Sequence, residues 1–217
     1  AGQHNGWMLL SYKGNVTVSS SLQQIMKFTS NDDEVEVKEI PTETNAEGQI
    51  IANVLTDENP KTFWVAEAND DKQWMTIELL NEGTVHAIQL NYHDHDSGIY
   101  TRVEGLKHQF TIETSEDGKN WKTVVDRSKT DIDAPNAYLV LDEPVKAKYV
   151  RYNNIKVPGN NFAMSEVRVF GLGLGEAPNK VSNFKINREK DRRDISFSWD
   201  KVEGAQGYNI RWGIAPD

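Results

Sequence analysis

A polar turn that runs directly into a bulky aromatic residue is the stretch of the sequence best suited to chemistry. It reads Asp57-Glu58-Asn59-Pro60-Lys61-Thr62-Phe63-Trp64. Asp and Asn side chains fold back onto nearby backbone, and a proline keeps the residue before it out of the helical region. Such a turn directs carboxylate, amide and carbonyl oxygens into one small space, and calcium prefers oxygen ligands of this kind. We therefore expect a cation site in the turn and Trp64 in the core.

A second chemical stretch is Tyr92-His93-Asp94-His95-Asp96. If it is a strand, alternation places His93 and His95 on one face and the two aspartates on the other. Two histidines at this spacing could chelate zinc, but catalytic zinc needs a third protein ligand, which no spacing in the sequence supplies. A charged strand end accounts for the stretch better than a metal site, and contact with a sugar is a third reading.

Other signals for catalysis are weak. The chain has 33 Asp and Glu residues, so carboxylates that are close in sequence say nothing about acid–base work. A glycosidase needs two carboxyl groups that flank the scissile bond in a cleft. The run Gly171–Gly175 has neither the Lys-Ser/Thr of a phosphate-binding loop nor a following helix, and it is interpreted as a linker. No cysteine is present, which excludes disulfides and thiol catalysis.

The composition is that of a folded, acidic protein. The 217 residues are 37% hydrophobic and 26% charged, with a formal net charge of −9. This charge repels nucleic acid phosphates and anionic lipid, so neither is expected as a partner. No apolar run approaches the roughly 18 residues that a membrane span needs.

From about residue 39 to 171 the sequence predicts an all-β sandwich or barrel. Short strands at regular spacing are separated by clusters of Gly, Pro, Asn and Asp, which is typical of these folds. Residues 74–79 and 85–92 alternate between apolar and polar positions. Asp117-Gly118 predicts a hairpin turn, because glycine adopts a positive φ without steric cost. No segment of useful length has a helical period.

These pieces, in this order, resemble the discoidin domain, also called the coagulation factor V/VIII C-type domain. The resemblance rests on the opening turn that ends in Trp64 and on the segments WMTIELL, SEDGKNW, KYVRY and SEVRVFG. Family 32 carbohydrate-binding modules share the opening turn. The resemblance implies a galactose-binding-like jelly-roll β-sandwich over residues 39–172. Glu58 departs from the family pattern, in which many members carry glycine at this position.

The resemblance also implies a structural calcium ion. In the family the ion is held by the first Asp of the turn, by turn carbonyls and by a Glu beside the last strand. These positions are Asp57, Asn59, Thr62 and Glu166 in this sequence, with a carbonyl near Leu55 as a further candidate. The alternative is a plain turn, in which Asp57 caps backbone amides and Glu166 is a solvated strand residue.

A sugar site is the second feature that the resemblance implies. In family 32 modules a His, an Arg, an Asn and an aromatic residue at one end of the sandwich grip the sugar. The residues in the corresponding stretches are His93, His95, Arg102, Asn160, Asn161 and Phe162. Trp64, Trp74 and Trp121 match core positions of the family and are expected in the core.

The flanking regions resemble parts of other domains. Residues 1–38 contain GWMLLSYKGNVTVSSS, which is similar to the final strand and exit of the family 43 glycoside hydrolase propeller. This similarity implies that residues 1–38 are the C-terminal remnant of an upstream catalytic propeller together with a linker. Two such strands need a sheet to complete them. Residues 173–177 are a Gly-rich linker. Residues 178–217 resemble the first part of an immunoglobulin-like fibronectin type III sandwich, with Trp199 and Tyr208 as core aromatics.

Taken together, the resemblances imply a non-catalytic accessory module. It would bind carbohydrate within a secreted, periplasmic or cell-surface bacterial hydrolase of the family 43 xylosidase and arabinosidase type, acting on plant polysaccharide. Its partners would be a polysaccharide and the upstream catalytic domain of the same chain. The alternative is a structural spacer that positions the catalytic domain and binds no sugar. Catalysis by this part of the chain is not expected, because a sandwich of this type supplies no cleft with convergent carboxylates.

Overall fold

A computed structural model describes residues 6–29, 35–93, 105–174, 176, 178–191, 193–205, 208 and 210. Within them the chain forms fourteen strands, which are β1 Met8–Leu9, β2 Asn15–Val18, β3 Gln23–Thr29, β4 Val35–Ile40, β5 Glu43–Thr44, β6 Ile50–Ile51, β7 Thr62–Val65, β8 Trp74–Tyr92, β9 Gln109–Ser115, β10 Lys122–Asp126, β11 Asn136–Lys156, β12 Ala163–Gly173, β13 Lys185–Arg188 and β14 Ile195–Ser198. A short 3-10 helix, Asn53–Leu55, precedes β7. In the described residues no helix has the length and apolar character needed to cross a membrane.

The chain divides into two compact units, Ala1–Leu174 and Gly175–Asp217. Twelve strands of the first unit form one continuous antiparallel sheet that curls into two layers. One layer runs β6-β2-β8-β11-β9-β10, and the other runs β4-β3-β7-β12-β8-β11. Strand β1 pairs with the end of β12, and β5 pairs with β6.

Two long strands, β8 and β11, belong to both layers. The first half of β8 pairs with β2 and with the second half of β11, which in turn pairs with β9. The second half of β8 pairs with the first half of β11 and with β12. The register of β8 against β11 shifts between Val140 and Val145, where the two strands bend. Each long strand therefore contributes one half to each face of the core.

Alternation along the strands fills the space between the layers. In β8, Met75, Ile77 and Leu79 are at most 1% exposed, whereas the intervening Thr76 and Glu78 are half-buried. The same period continues in β11 and β12, because successive side chains of a strand point to opposite faces. The predicted all-β, discoidin-type sandwich is confirmed.

Residues 6–29 supply three strands to this sandwich. Strand β1 pairs with β12, β2 pairs with β8, and β3 pairs with β7. Val16 and Val18 of β2 are buried in the same core as the strands that follow. A domain boundary at residue 38 would therefore remove paired strands from the sheet. Strands β1, β2 and β3 are therefore completed by the strands of the sandwich, with which they pair.

The predicted hairpin connects β9 and β10. The two strands pair in antiparallel register, and Gly118 between them has a φ of 71°. The Asp117 carboxylate accepts hydrogen bonds from the backbone N–H groups of Lys119 and Asn120, both at 2.8 Å. These hydrogen bonds hold the pKa of Asp117 well below its ordinary value.

The second unit contains a two-stranded antiparallel sheet formed by β13 and β14. Its aromatic side chains contact each other: the Trp199 and Tyr208 rings lie 5.1 Å apart edge to face, and Phe184 stacks on Phe197 at 6.0 Å. The two residues predicted as core aromatics are therefore in contact. The assignment of residues 178–217 to a fibronectin type III module stays a prediction.

Candidate functional site

The turn before β7 is held together by the side chain of Asp57. Its Oδ1 accepts the backbone N–H of Asn59 at 2.8 Å, and its Oδ2 lies 3.0 Å from the hydroxyl of Thr62. The same hydroxyl is 2.8 Å from the main-chain carbonyl of Asn59, so its single hydrogen is shared between two acceptors. The carboxylate and carbonyl oxygens therefore converge on the Thr62 hydroxyl, whereas the amide oxygen of Asn59 accepts the backbone N–H of Lys61 at 3.1 Å.

Glu58 explains how this turn departs from the family pattern. Its φ is 59°, in the left-handed region that favours glycine, which accounts for a glycine at the corresponding position of many family members. The Glu58 carboxylate accepts hydrogen bonds from Nε of Arg168 at 2.8 and 3.0 Å. This charge-assisted contact joins the turn to β12 and offers a compensation for the unfavourable φ.

Glu166 of β12 is buried against the same turn. Its side chain is 4% exposed, and neither carboxylate oxygen has a hydrogen-bond partner. The nearest cationic atom is Nη2 of Arg168, 3.9 Å from Oε2. Burial, followed by the Glu58 carboxylate and more weakly by that of Asp57, raises the pKa of Glu166 to about 8, although Arg168 opposes this shift.

A calcium ion takes about six to eight oxygen ligands, so main-chain carbonyls would have to supply much of its shell at this turn. In the described part of the chain, no three His, Asp or Glu side chains form a metal cage by themselves. The Asp57 carboxylate contacts the Thr62 hydroxyl, and the buried Glu166 carboxylate is close enough to Asp57 and Glu58 for their charges to raise its pKa. The plain-turn alternative is correct that Asp57 caps a backbone amide, but Glu166 is not a solvated strand residue.

At the other end of β7, in a region that we call the loop end, lie the β7–β8 loop (66–73), the β11–β12 loop (157–162) and the exit of β8. His93 follows β8, and its backbone N–H donates to the carbonyl of Ala163 at 3.0 Å. One face of its half-buried ring stacks on Phe63, with the ring centres 3.8 Å apart. His95 and Arg102, the other candidates in this stretch, lie outside the described residues.

Two of the remaining candidates lie together in the β11–β12 loop. Asn160 is exposed, and Asn161 is half-buried. The Asn161 amide donates to the carbonyl of Ala66 in the β7–β8 loop at 2.9 Å. The structure therefore places both asparagines at the loop end, close along the chain to Ala163 and so to the backbone contact with His93.

The prediction that Phe162 stacks on a sugar is wrong. The side chain has no exposed surface, stacks on Tyr152 at 5.1 Å and meets Trp64 edge to face at 5.3 Å. Backbone hydrogen bonds from Phe162 to Ala68 and from Ala66 to Phe162 extend the strand pairing, which turns the ring inward. The sequence carried a signal for this position, because Phe162 and Met164 continue the inward period of β12.

The three tryptophans that were expected in the core divide into two groups. Trp64 is fully buried, as expected. Trp74 and Trp121 are half-buried on the outward face of the sheet, so the prediction is wrong for both. The guanidinium of Arg151 lies 3.8 Å from the centre of the Trp121 ring and 5.7 Å from that of Trp74. This cation–π contact stabilises the two outward indoles.

Sequence reasoning missed three amide side chains beneath the loop end: Asn69, Gln73 and Asn154. Gln73 and Asn154 are 7% and 1% exposed, and each makes hydrogen bonds to neighbouring segments. Asn154 could have been found from the pattern, because it takes the inward position after Val150 and Tyr152 in β11. A polar residue on an inward period indicates a buried hydrogen-bond network.

Comparison with protein families gives one match. The F5/8 type C domain family matches residues 36–167, which is more than half of the chain. The match includes both the turn around Asp57 and the candidates of the loop end. Comparison with curated proteins gave no match.

Several solved structures share the fold. A selenomethionine-labelled mutant of chitosan-binding module 1, from a chitosanase/glucanase of Paenibacillus sp. IK-5, is 20% identical, with a TM-score of 0.52 over 76% of this chain and 100% of that chain. Module 2 of the same enzyme, solved in complex with chitotriose, is 18% identical, with a TM-score of 0.50 over 75% and 99%. CpGH89CBM32-5 from Clostridium perfringens, in complex with GalNAc-β-1,3-galactose, is 17% identical, with a TM-score of 0.50 over 76% and 100%. At these identities the likeness concerns the fold alone.

Proposed function

Because the chain belongs to the F5/8 type C domain family, we propose that its sandwich is a non-catalytic carbohydrate-binding module whose site is the loop end. The observation that carries the proposal is the pair Asn160 and Asn161, on a loop whose backbone is tied to its neighbours by hydrogen bonds. His93 lies beside this loop with one ring face covered by Phe63. The site thus offers amide and imidazole groups on a preorganised backbone.

The chemistry of these groups suits a sugar. A sugar hydroxyl both donates and accepts hydrogen bonds, and an asparagine amide supplies two donors and an acceptor in one plane. A loop that is ordered before binding loses little conformational freedom on binding, which favours affinity when contacts are few. The proposal is also supported by the solved neighbours of the same fold that were crystallised with chitotriose and with GalNAc-β-1,3-galactose.

Calorimetric titration of the full chain tests this function. The ligands are chito-oligosaccharides, galactose-terminated disaccharides, and arabinose and xylose oligomers. We expect at least one class to bind, and Asn160→Ala to weaken its affinity several-fold. The matched control is Asn120→Ala, since Asn120 is an exposed asparagine in the β9–β10 hairpin. The absence of heat with every class would favour the spacer alternative, in which the sandwich only positions other domains.

We further propose that the module belongs to a secreted bacterial glycoside hydrolase that acts on plant polysaccharide. The support is a sequence similarity: residues 6–21 resemble the segment that leaves a family 43 propeller, and in this structure that segment pairs with strands of the sandwich. The upstream catalytic domain would then be the partner of the sandwich within one polypeptide. The gene sequence upstream of this segment tests the proposal. A family 43 propeller is expected there, and a different catalytic fold would contradict the proposal.

The turn around Asp57 supports a second proposal, a structural calcium ion. Asp57, Thr62 and Glu166 would supply side-chain oxygens, and Asn59 its main-chain carbonyl, with a carbonyl near Leu55 as a further donor. The supporting observation is the buried Glu166 carboxylate, whose oxygens lack hydrogen-bond partners. A bound calcium supplies positive charge that offsets this buried negative charge. The ion would stabilise the fold and take no part in catalysis.

A further inference from the structure

Three amide side chains, buried Gln73 and Asn154 and half-buried Asn69, join the loops of the loop end. Gln73 accepts hydrogen bonds from the hydroxyls of Ser19 and Ser20 at 2.9 and 2.6 Å, which attaches the β2–β3 turn to the β7–β8 loop. Asn154 of β11 donates to the carbonyl of Asp70 at 2.9 Å. Buried amides destabilise a fold unless they are hydrogen-bonded, so a connected set of them specifies one arrangement of the loops.

Asn69 makes the most direct contact with the proposed ligand loop. Its amide nitrogen donates to the carbonyls of Val157 and Gly159 at 2.7 and 2.8 Å. Its amide oxygen accepts the backbone N–H of Val157 at 3.1 Å and the Asn154 amide at 3.3 Å. The side chain therefore uses both of its hydrogens and its oxygen on the β11–β12 loop and its support.

These contacts lie immediately before the exposed Asn160. Gly159 has a φ of 100°, a conformation that side chains with a Cβ rarely adopt, and Pro158 precedes it. The loop thus turns sharply between the two carbonyls that Asn69 holds. The direction in which the backbone presents Asn160 depends on this turn.

We propose that Asn69 is a positioning residue, which sets the conformation of residues 157–161 and through it the geometry of the sugar site. The inference rests on the proposed carbohydrate-binding function, which it deepens. Asn69 acts through the loop backbone, and contact with the sugar is left to Asn160 and its neighbours.

The isosteric change Asn69→Asp is the sharpest test. It keeps the shape and the acceptors of the side chain but replaces both donated hydrogens with an oxygen that faces two carbonyl oxygens. The matched control is Asn53→Asp, which adds the same charge in the 3-10 helix. Asn53 uses its side-chain oxygen to accept the backbone N–H of Val16 at 2.8 Å, and this acceptor is retained. Asn69→Ala removes the hydrogen bonds to the loop without placing a carboxylate oxygen against the two carbonyls. This variant is used for the test if Asn69→Asp does not fold.

Two measurements on the 217-residue chain distinguish the positioning role of Asn69 from the proposed carbohydrate-binding function. Hydrogen exchange should become faster in peptides covering 157–161 in both Asn69 variants, with the β9–β10 hairpin and the control unchanged. Affinity for the saccharide that binds the wild-type chain should fall at least tenfold. Unchanged exchange in the loop overturns the positioning role, as does faster exchange with unchanged affinity. If no saccharide binds the wild-type chain, the proposed function fails, and the exchange result alone decides whether Asn69 positions the loop.

Discussion

At the scale of single residues, the charges around Glu166 decide how the turn before β7 behaves. Three carboxylates, Asp57, Glu58 and Glu166, gather near one guanidinium, that of Arg168. Arg168 makes its short contact with Glu58, at 2.8 Å, and reaches Glu166 only at 3.9 Å. Without a further positive charge, Glu166 is stabilised in its protonated form.

This gives a prediction for the pH dependence of stability in a chelator. The pKa of Glu166 rises from its ordinary 4.5 to about 8 in the folded state. The folded chain then binds this proton more tightly than the unfolded chain, so the contribution of Glu166 to stability is greatest below its ordinary pKa and is lost as the pH rises through the raised value. Denaturant unfolding of the wild-type chain and Glu166→Gln at about pH 5 and about pH 9 checks this. Between the lower and the higher pH, the free energy of unfolding should fall more for the wild-type chain than for Glu166→Gln. An equal change in both proteins would contradict the raised pKa.

A second residue-scale prediction concerns Phe162. Because its ring is packed between Tyr152 and Trp64 with no exposed surface, Phe162→Ala should lower the free energy of unfolding by about 3–5 kcal/mol. Phe162→Leu fills more of the space and should cost less. Denaturant unfolding measures both variants. If Phe162→Ala kept wild-type stability but no longer bound sugar, Phe162 would be a sugar-stacking residue after all, and its assignment to the core would be contradicted.

At the scale of elements, the turn around Asp57 and strand β12 behave as one unit. They are 110 residues apart in sequence, yet the contact between Glu58 and Arg168 joins them, and Glu166 faces the same turn. A cation shared by Asp57 and Glu166 would close this long loop in a chain that has no disulfide.

Calcium is therefore expected to raise the melting temperature. A ligand that binds only the folded state at about one hundred times its dissociation constant adds roughly 2.7 kcal/mol of stability. Thermal unfolding in calcium and in chelator measures the effect. Asp57→Asn with Glu166→Gln should abolish it, whereas Asn120→Asp in the distant hairpin should leave it intact. Equal melting temperatures for the wild-type chain in both conditions would contradict the calcium proposal.

Strands and turns were predictable from the sequence because they depend on local patterns. Alternation placed Met75, Ile77 and Leu79 on one face, and Asp117-Gly118 marked the hairpin. The same alternation, read one residue earlier, would have placed Trp74 on the outward face. Periodicity says which face a residue takes but not which strand lies next to it. The pairing of β1, β2 and β3 with later strands therefore could not be derived from pattern alone.

The candidate site was predictable only where a residue type has a narrow range of uses. The acidic turn around Asp57 fits few roles, and the structure gathers its oxygens as expected. The hydrogen bonds from the Asn69 side chain to the β11–β12 loop were missed because they join residues that are 88 positions apart and because asparagine is common in loops. Phe162 was misassigned because an aromatic beside two asparagines suits a sugar platform as well as a core edge.

At the scale of the whole molecule, the regions at the two ends of β7 have different chemistry. One end carries the buried carboxylate of Glu166 and the turn that faces it, which suits a structural cation. The other end carries the exposed side chain of Asn160 and loops that are joined by hydrogen bonds of the amides of Asn69 and Asn154. The outward indoles of Trp74 and Trp121 both contact the guanidinium of Arg151. Under the two proposals made above, the first region would stabilise the fold and the second would recognise the sugar.

The most direct test of the central claim is a nitrogen-15 correlation spectrum of the 217-residue chain during titration with the saccharide that binds in calorimetry. Carbohydrate recognition at the loop end predicts shifts confined to residues 66–73, the segment around His93 and residues 157–162. The hairpin, the turn around Asp57 and the face of Trp74 and Trp121 should keep their resonances. Shifts centred on that outward face, or no shifts with any of the saccharides, would contradict the account.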